Sequence, residues 1–302
     1  MKVFLFKISI LLFFIFSVDR FIGYILKNMN EKIEIGGLGR DNYICNKSID
    51  DIVILGSSRA VHHYNPCILE DSLQLSCYNA GEDGNGILLS YARLKMLNER
   101  HHPKIVLYDF IAAYDFLEND NHTYLGWLKN RYNRTGIYNI FKDVDETECI
   151  KMFSYLYRYN TRFLQNSIVY LTGISTDSGI KGFRPLEGNM DELKIKYMDS
   201  EENIEYDELK LRYLRKMITE NQYSELIFVY SPIWYGDNIS RYDKFISLCK
   251  KYRIPVIDFS NNPKYVHNND YFVDAKHLNS NGADEFTRDL INELGKLGYI
   301  IK

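Results

Sequence analysis

One serine near the start of the chain and an aspartate–histidine pair near its end have the residue types of a catalytic triad. Ser58 lies in the sequence Gly-Ser-Ser-Arg, directly after a short apolar run, and Asp274 and His277 stand three residues apart. Such a histidine takes the proton of the serine, while the carboxylate orients the imidazole ring and stabilises its cation. If Asp274 and His277 share one helical turn, their side chains face the same side. The residue types therefore predict a serine that is activated as a nucleophile.

Each of these features also has a structural interpretation. A serine before a helix commonly accepts hydrogen bonds from free N–H groups of the first turn, and Asp274 can cap a helix in the same way with His277 at the surface. The segment around Ser58 also lacks the closing glycine of the G-x-S-x-G motif, which argues against an α/β-hydrolase. The sequence leaves both interpretations open, and the distance between Ser58 and His277 decides between them.

A glycine-rich segment, residues 78–86, follows the second predicted strand. Glycine lets the backbone approach a ligand closely, so this segment is a candidate for the site, and the alternative is an ordinary turn. The neighbouring Glu82 and Asp83 are either a carboxylate pair near the site or solvated loop charges.

Alternating strands and helices are typical of an α/β protein with a parallel sheet. Each predicted strand is a short, largely apolar run of the kind buried in parallel sheets. We expect helices over residues 87–100, 205–219, 239–251 and 283–297, and hence a three-layer α/β/α domain of the flavodoxin-like kind. Functional groups gather beyond the carboxyl ends of the strands in such sheets. The predicted strands are residues 52–55, 75–79, 105–109, 226–230 and 255–258.

The N-terminus is strongly apolar. Residues 3–18 are interrupted only by Lys7, and Asp19 and Arg20 follow. No small-x-small cleavage site follows the run, so we favour an uncleaved membrane anchor over residues 1–28. The second alternative for this segment is a cleaved signal peptide, and the third is a buried core helix. Asp19 and Arg20 would mark the far interface of the membrane.

The remaining organisation follows from composition. Residues 29–50 are predicted to be a linker, with a loop at the glycines of 36–42. The catalytic domain then spans residues 51–302, with an insertion at about 118–205 that contains a helical stretch near 148–168.

Overall composition excludes several classes of protein. The 302 residues are 46% hydrophobic and 25% charged with a net charge of −3, so neither wholesale disorder nor a basic nucleic-acid-binding surface is expected. The five cysteines contain no C-x-x-C pair and their spacing selects no disulfide, and no H-E-x-x-H motif is present. We expect no metal and no cofactor. His62 and His63 either contact substrate or pack locally, and we favour packing.

The order of these features resembles the SGNH (GDSL-like) hydrolase superfamily over most of residues 51–297. In that resemblance Ser58 is the nucleophile, Gly84 lines the oxyanion hole together with the N–H of Ser58, and Asp274 and His277 complete the triad. The ending Asp-x-x-His-Leu-Asn-x-x-Gly-Ala is similar to that of the anchored DltD-like and alginate-acetylation-like branch, which handles acyl groups on surface polymers.

The resemblance implies a membrane-anchored, extracytoplasmic serine esterase or O-acyltransferase. Its partners would be an acylated cell-envelope polysaccharide or a small acyl ester. One departure is the asparagine that the family places after the third strand, since residues 108–115 contain none. Either Asn85 or a residue of the insertion substitutes, or the protein is a slow or specialised member. The alternative is a non-catalytic scaffold with the same fold in the modification of envelope polymers.

Overall fold

A computed structural model gives the architecture of the chain. Its residues fall into two compact units, an N-terminal unit of residues 1–43 and 121–177 and a sheet unit of residues 44–120 and 178–302. The residues that the structure describes are 1–117, 119–175, 177, 179–190 and 204–299.

The sheet unit is built on a five-stranded, all-parallel sheet with the strand order β2-β1-β3-β4-β5. All five predicted strands are confirmed, since buried parallel strands are short continuous apolar runs that differ visibly from their surroundings. The strands are β1 (Ile52–Gly56), β2 (Cys77–Asn79), β3 (Ile105–Asp109), β4 (Glu225–Tyr230) and β5 (Val256–Asp258).

Thirteen α-helices occur in the described part of the chain. They are α1 (Lys2–Lys32), α2 (Gly36–Asn46), α3 (Ser58–His63), α4 (Pro66–Leu73), α5 (Ile87–Asn98), α6 (Ala112–Asp115), α7 (Ile137–Val144), α8 (Glu146–Lys151), α9 (Tyr155–Tyr159), α10 (Phe163–Thr172), α11 (Glu208–Glu220), α12 (Asp243–Tyr252) and α13 (Ser280–Lys296).

Helices cover both faces of the sheet, as the α/β expectation requires. Alternate strand residues point to opposite faces. On one face Ile54 belongs to the same buried cluster as Phe286 of α13. On the other, the ring centroid of Phe228 lies 5.4 Å from that of Tyr108 and 5.2 Å from that of Phe245 in α12. The sheet is therefore buried on both sides, which leaves its carboxyl edge for chemistry.

Gly56 shapes the carboxyl end of β1. It pairs with Asp109 of β3 in the parallel register, and its φ of 136° lies in the region that favours glycine. A Cβ atom at this position would stand 2.3 Å from the carbonyl oxygen of Asp109. Only glycine therefore lets the chain pass this close to β3 and turn into α3, which begins with Ser58.

The N-terminal run forms α1, but the expected transmembrane helix is not supported. Among the described residues, no helix combines the length and the apolar character needed to cross a membrane. The uncharged run of residues 8–18 is about 16 Å long at 1.5 Å per residue, against about 30 Å for a bilayer core. Asp19 marks no interface: it lies within the helix and accepts hydrogen bonds from Ser154 Oγ, Tyr155 N and Leu156 N at the start of α9.

Three further expectations differ from the structure. The glycines of residues 36–42 lie in α2, where a loop is predicted, and the helical stretch near 148–168 is divided among three helices, α8, α9 and α10. The helix predicted over 239–251 begins as α12 at Asp243, after a 3-10 turn (Ile239–Arg241). None of the five cysteines forms a disulfide, so no disulfide supports either unit.

Candidate active site

Ser58 and His277 meet at the carboxyl edge of the sheet. Their side chains are joined by a hydrogen bond of 2.8 Å between Ser58 Oγ and His277 Nε2, across 219 residues of sequence. The residue at the N-cap of α3 is Ser57, and its side chain makes no capping hydrogen bond. Ser58 thus does not serve as the cap that the structural interpretation proposes, because its hydroxyl is directed at the imidazole.

Asp274 completes the constellation on the other side of the ring. His277 Nδ1 lies 2.9 Å from Asp274 Oδ2 and 3.0 Å from Oδ1. The predicted shared helical turn is wrong, because residues 274–277 form a loop before α13. In that loop Asp274 Oδ1 accepts the backbone N–H groups of Lys276 (2.8 Å) and His277 (2.9 Å). The aspartate therefore folds the loop and orients the ring with one carboxylate.

The hydrogen bonds to Asp274 also keep it ionised. Partial burial acts to raise the pKa of this carboxyl, but the hydrogen bond and charge of His277, with the two backbone N–H groups, lower it below its ordinary value. An ionised Asp274 accepts a hydrogen bond from Nδ1–H, so the unprotonated Nε2 faces the serine. This is the tautomer that a general base needs.

His63 supports the loop that carries His277. Its buried ring accepts a hydrogen bond from Leu278 N at Nε2 (3.0 Å), and its Nδ1 lies 3.1 Å from Ser231 Oγ. Burial, reinforced by the nearby charges of His277 and Arg59, lowers the pKa of His63 well below its ordinary value. A neutral His63 accepts at Nε2 and donates from Nδ1, which fits both partners, and this agrees with the packing role that we favour from the sequence.

His62 connects the nucleophile region to the glycine-rich loop after β2. Its Nδ1 lies 2.6 Å from Arg184 O and its Nε2 lies 3.1 Å from Asp83 Oδ1, while Arg184 Nη2 contacts Asp83 Oδ2 at 2.7 Å. The His62 and His277 rings are 5.8 Å apart in an edge-on arrangement. Asp83 is thus an ion-pair partner rather than a free loop charge, and it holds the loop beside the site.

Gly84 follows Asp83 in this loop and is exposed. Its φ of 65° lies in the left-handed region, which explains the need for glycine. It is not among the residues that line the cavity beside Ser58. The structure therefore places Gly84 in the neighbouring loop, and its assignment to the oxyanion hole stays a prediction.

A buried ion pair that the sequence analysis missed lies behind the nucleophile. The Arg59 side chain, only 4% exposed, places Nη2 3.5 Å from Asp109 Oδ1, bonds Phe110 O and lies over the Tyr230 ring at 5.0 Å. Burial raises the pKa of Asp109, and the Arg59 charge opposes that rise. The available signal was a charged residue at the end of β3 and another in the first turn of the helix after β1, since the carboxyl ends of the two strands meet at one edge.

A cavity of about 530 Å³ opens beside Ser58 and His277. It lies over the carboxyl ends of β3 and β4, and Arg59, Tyr230 and Lys276 contribute to its wall. The remaining wall combines aliphatic side chains with three tyrosines and the Asp237–Arg241 pair. Its aliphatic side chains are Ile111, Ala112, Ala113, Leu117, Ile204 and Ile233.

The segment after β3, where the resemblance to SGNH hydrolases predicts an asparagine, borders the cavity. Residues 111–114 form part of its wall and offer no side-chain amide. Asn85, the substitute considered from the sequence, is buried and donates from Nδ2 to Asp83 O at 2.9 Å. One N–H of that amide is therefore already engaged, and no side-chain donor is assigned in place of the missing asparagine.

Lys210 fixes this wall, and the sequence analysis also missed it. Its fully buried Nζ donates to Ala113 O (3.1 Å), Leu117 O (2.7 Å) and Asn119 Oδ1 (2.6 Å). Burial lowers the pKa of Lys210 to about 8, against the opposing charges of Asp115 and Asp207. On an amphipathic helix a lysine is normally exposed, so helical periodicity could not identify it.

One group of potential metal ligands occurs among the described residues of the N-terminal unit. Ligand atoms of His122, Asp145 and Glu148 all lie within 4.8 Å of one another. Glu148 already accepts hydrogen bonds from Lys151 Nζ (2.5 Å) and Tyr157 OH (2.9 Å). The lysine ammonium supplies positive charge at this carboxylate, so a cation would have to compete with it.

The sequence was compared with protein-family models and with curated proteins. No family model matches the chain, and no curated protein is significantly similar to it. The function must therefore be inferred from the geometry of the site.

Proposed function

We propose that the protein is a serine esterase or O-acyltransferase that uses Ser58, His277 and Asp274 as a catalytic triad. The observation that carries the proposal is the chain of two hydrogen bonds, 2.8 Å from Ser58 Oγ to His277 Nε2 and 2.9 Å from His277 Nδ1 to Asp274 Oδ2. These distances match those at which a base activates a nucleophile and is itself oriented. The open cavity beside the pair gives a substrate access to both.

The reaction has two steps, acylation of Ser58 and deacylation. Ser58 Oγ attacks the ester carbonyl while its proton passes to His277 Nε2, and the new C–O bond gives a tetrahedral oxyanion. Collapse breaks the bond to the alcohol, which leaves with the proton from His277, so Ser58 becomes acylated. Water or a sugar hydroxyl then attacks the acyl-enzyme, with His277 as base, and returns the serine.

The oxyanion requires hydrogen-bond donors near Ser58. Ser58 is the first residue of α3, so its N–H is among those without an acceptor inside the helix. We assign this N–H and that of Gly84 to the oxyanion hole, the second from the resemblance to SGNH hydrolases. Loss of one donor typically reduces the rate about 10²- to 10³-fold. The absent asparagine therefore predicts a slower enzyme rather than an inactive one.

The natural substrate class rests on the same resemblance. We propose an O-acylated carbohydrate of the cell envelope, with the sheet unit outside the cytoplasm. Hydrolysis and transfer differ in the second half of the reaction, where transfer requires an acceptor that outcompetes water. Adding a sugar alcohol to the assay and measuring acylated sugar against free acid by mass spectrometry would distinguish the two.

The test of the triad is the hydrolysis of p-nitrophenyl acetate by Ser58→Ala. We expect its kcat/KM to fall at least 10³-fold, because the nucleophile is removed. Ser57→Ala is the matched control, since the Ser57 hydroxyl is buried, has no hydrogen-bond partner and caps nothing. A Ser58→Ala variant with native activity, or equal losses in both folded variants, would remove Ser58 from its role.

A further inference from the structure

The cavity beside the triad is much larger than an acetyl group needs. Its volume is about 530 Å³. At about 30 Å³ per heavy atom, taken from the volume of a water molecule, the three heavy atoms of an acetyl group fill less than about a fifth of it. Volumes of this size are typical of sites that enclose a whole small ligand. Because Ser58 and His277 lie in the wall, the enclosed group is one that flanks the scissile bond.

Several polar side chains of the cavity wall already form hydrogen bonds or ion pairs with one another. Asp237 accepts hydrogen bonds from the hydroxyls of Tyr230 and Tyr242 (2.9 Å for Tyr242) and lies 3.6 Å from Arg241 Nη1. The Arg59 guanidinium pairs with Asp109 at the end of β3 and donates to the carbonyl oxygen of Phe110. Asp237 is also the only carboxylate among the described lining residues, which include no asparagine or glutamine. The wall thus offers few acceptors for the hydroxyls of a sugar.

The rest of the lining is mainly apolar and combines aliphatic side chains with the rings of Tyr114 and Tyr235, while Lys276 adds one cationic group. Residues 111–113 line one side, directly after β3, and Leu117 and Ile233 contribute branched side chains. Lys210 holds this wall in place through the carbonyl groups of Ala113 and Leu117. An apolar surface that is fixed by buried hydrogen bonds is suited to an apolar ligand group, because the ligand gains its burial without first ordering the wall.

We propose that the cavity binds the acyl group of the substrate, and that this group is an aliphatic chain of roughly six to ten carbons, which with its carbonyl oxygen fills about 40–60% of the cavity volume by the same measure. This inference rests on the proposed function for the identity of the reaction. It goes beyond that function by selecting a medium-chain acyl group over acetyl and by placing the acyl group, rather than the alcohol, over β3 and β4.

A chain-length series of p-nitrophenyl esters from acetate to dodecanoate tests the inference. We expect kcat/KM to rise up to about fourfold for each added methylene, the rate equivalent of burying one CH₂, and to peak between six and ten carbons. Ala113→Phe fills the cavity and should reduce octanoate hydrolysis at least tenfold while acetate hydrolysis changes less than threefold. An optimum at acetate, or equal losses on both esters, would overturn the inference.

Enlarging the cavity gives the opposite expectation. Leu117→Ala should shift the optimum to longer chains, because truncation extends the space for the chain end. Leu297→Ala is the matched control, since this exposed leucine lies at the end of α13 and does not line the cavity. An identical chain-length profile in the two variants would argue against an acyl group in this cavity.

A binding measurement separates this inference from the proposed chemistry. Calorimetric titration of Ser58→Ala with sodium octanoate and sodium acetate requires no turnover. We expect octanoate to bind at least tenfold more tightly than acetate, and Ala113→Phe in the same background to abolish the difference. Octanoate binding without any esterase activity would refute the triad but retain the cavity as an acyl site, and equal affinities would refute the cavity assignment whatever the activity.

Discussion

Asp274→Asn tests how the protein sets the protonation of His277. In the native site Asp274 Oδ1 accepts two backbone N–H groups, at 2.8 and 2.9 Å, and Oδ2 lies 2.9 Å from His277 Nδ1. An asparagine keeps both backbone bonds only if its carbonyl oxygen takes the place of Oδ1. Its NH₂ group then stands opposite Nδ1 and donates to it. The ring must carry its proton on Nε2, where it faces Ser58 and cannot accept the serine proton.

The size of the expected loss follows from this forced tautomer. The same exchange in serine proteases reduces kcat about 10⁴-fold with the geometry intact. Here the Asp274 side chain is 56% exposed. Water therefore screens part of the Asp274 charge in the native protein. In the variant, a fraction of the molecules can still hold the His277 proton on Nδ1. We expect a loss of about 10³-fold in kcat, with thermal stability close to native because the loop keeps its two backbone hydrogen bonds.

The assay is p-nitrophenyl acetate hydrolysis together with the ¹⁵N chemical shifts of the His277 ring. The shifts should report protonation at Nδ1 in the native protein and at Nε2 in Asp274→Asn. Activity within tenfold of native, in a variant whose ring has changed tautomer, would refute the role of Nε2 as base. Native activity with an unchanged tautomer would show that Asp274 does not orient the ring.

Three further changes test the surroundings of the site. His63→Phe should lower the unfolding free energy by about 2–4 kcal/mol in urea titrations, because the buried Leu278 N–H and Ser231 hydroxyl lose their partner; a loss below 0.5 kcal/mol would contradict this role. Lys210→Met should lower the unfolding free energy by about 3 kcal/mol, since three acceptors in and beside the cavity wall lose their donor. It should also lower octanoate ester hydrolysis more than acetate hydrolysis. Equal losses on both esters would show that Lys210 does not act through the cavity wall. The pKa of Asp83 is lowered from 3.8 to about 2: burial opposes the shift, and the hydrogen bond and charge of its histidine and arginine partners produce it. The ionised carboxylate therefore stabilises the fold above about pH 4 and loses this contribution as the pH falls towards 2. Allowing for its 44% exposure, Asp83→Asn should cost about 1 kcal/mol at pH 7 and clearly less at pH 2, and a pH-independent difference would show that its charge is not the cause.

The sheet could be predicted from the sequence because a buried strand is recognised by residues that are consecutive in the chain. The strands β1, β3 and β4 are runs of mainly β-branched and other apolar residues, and β3 has the predicted bounds of 105–109. The parallel arrangement brings the ends of distant strands to one edge, whereas the pairing of Ser58 with His277 across 219 residues was predicted from their residue types and the resemblance to SGNH hydrolases. The motif spacing also identified the aspartate, although it misplaced Asp274 in a helix.

Features that depend on long-range partners could not be predicted in this way. Hydropathy placed Asp19 at a membrane interface, whereas its carboxylate meets α9 more than 130 residues later. Arg59 and Lys210 are charged residues in elements with an ordinary pattern, and only their partners explain their burial. The glycines of α2 illustrate the opposite error, because a local loop signal was overridden by tertiary structure.

The most direct test is covalent labelling of the folded native protein with a fluorophosphonate, followed by peptide mapping. Only a serine activated by a neighbouring base reacts readily with this reagent. We predict stoichiometric labelling at Ser58, lost in His277→Ala while that variant stays folded. A native protein that remains unlabelled, or that reacts at another serine, would contradict the triad.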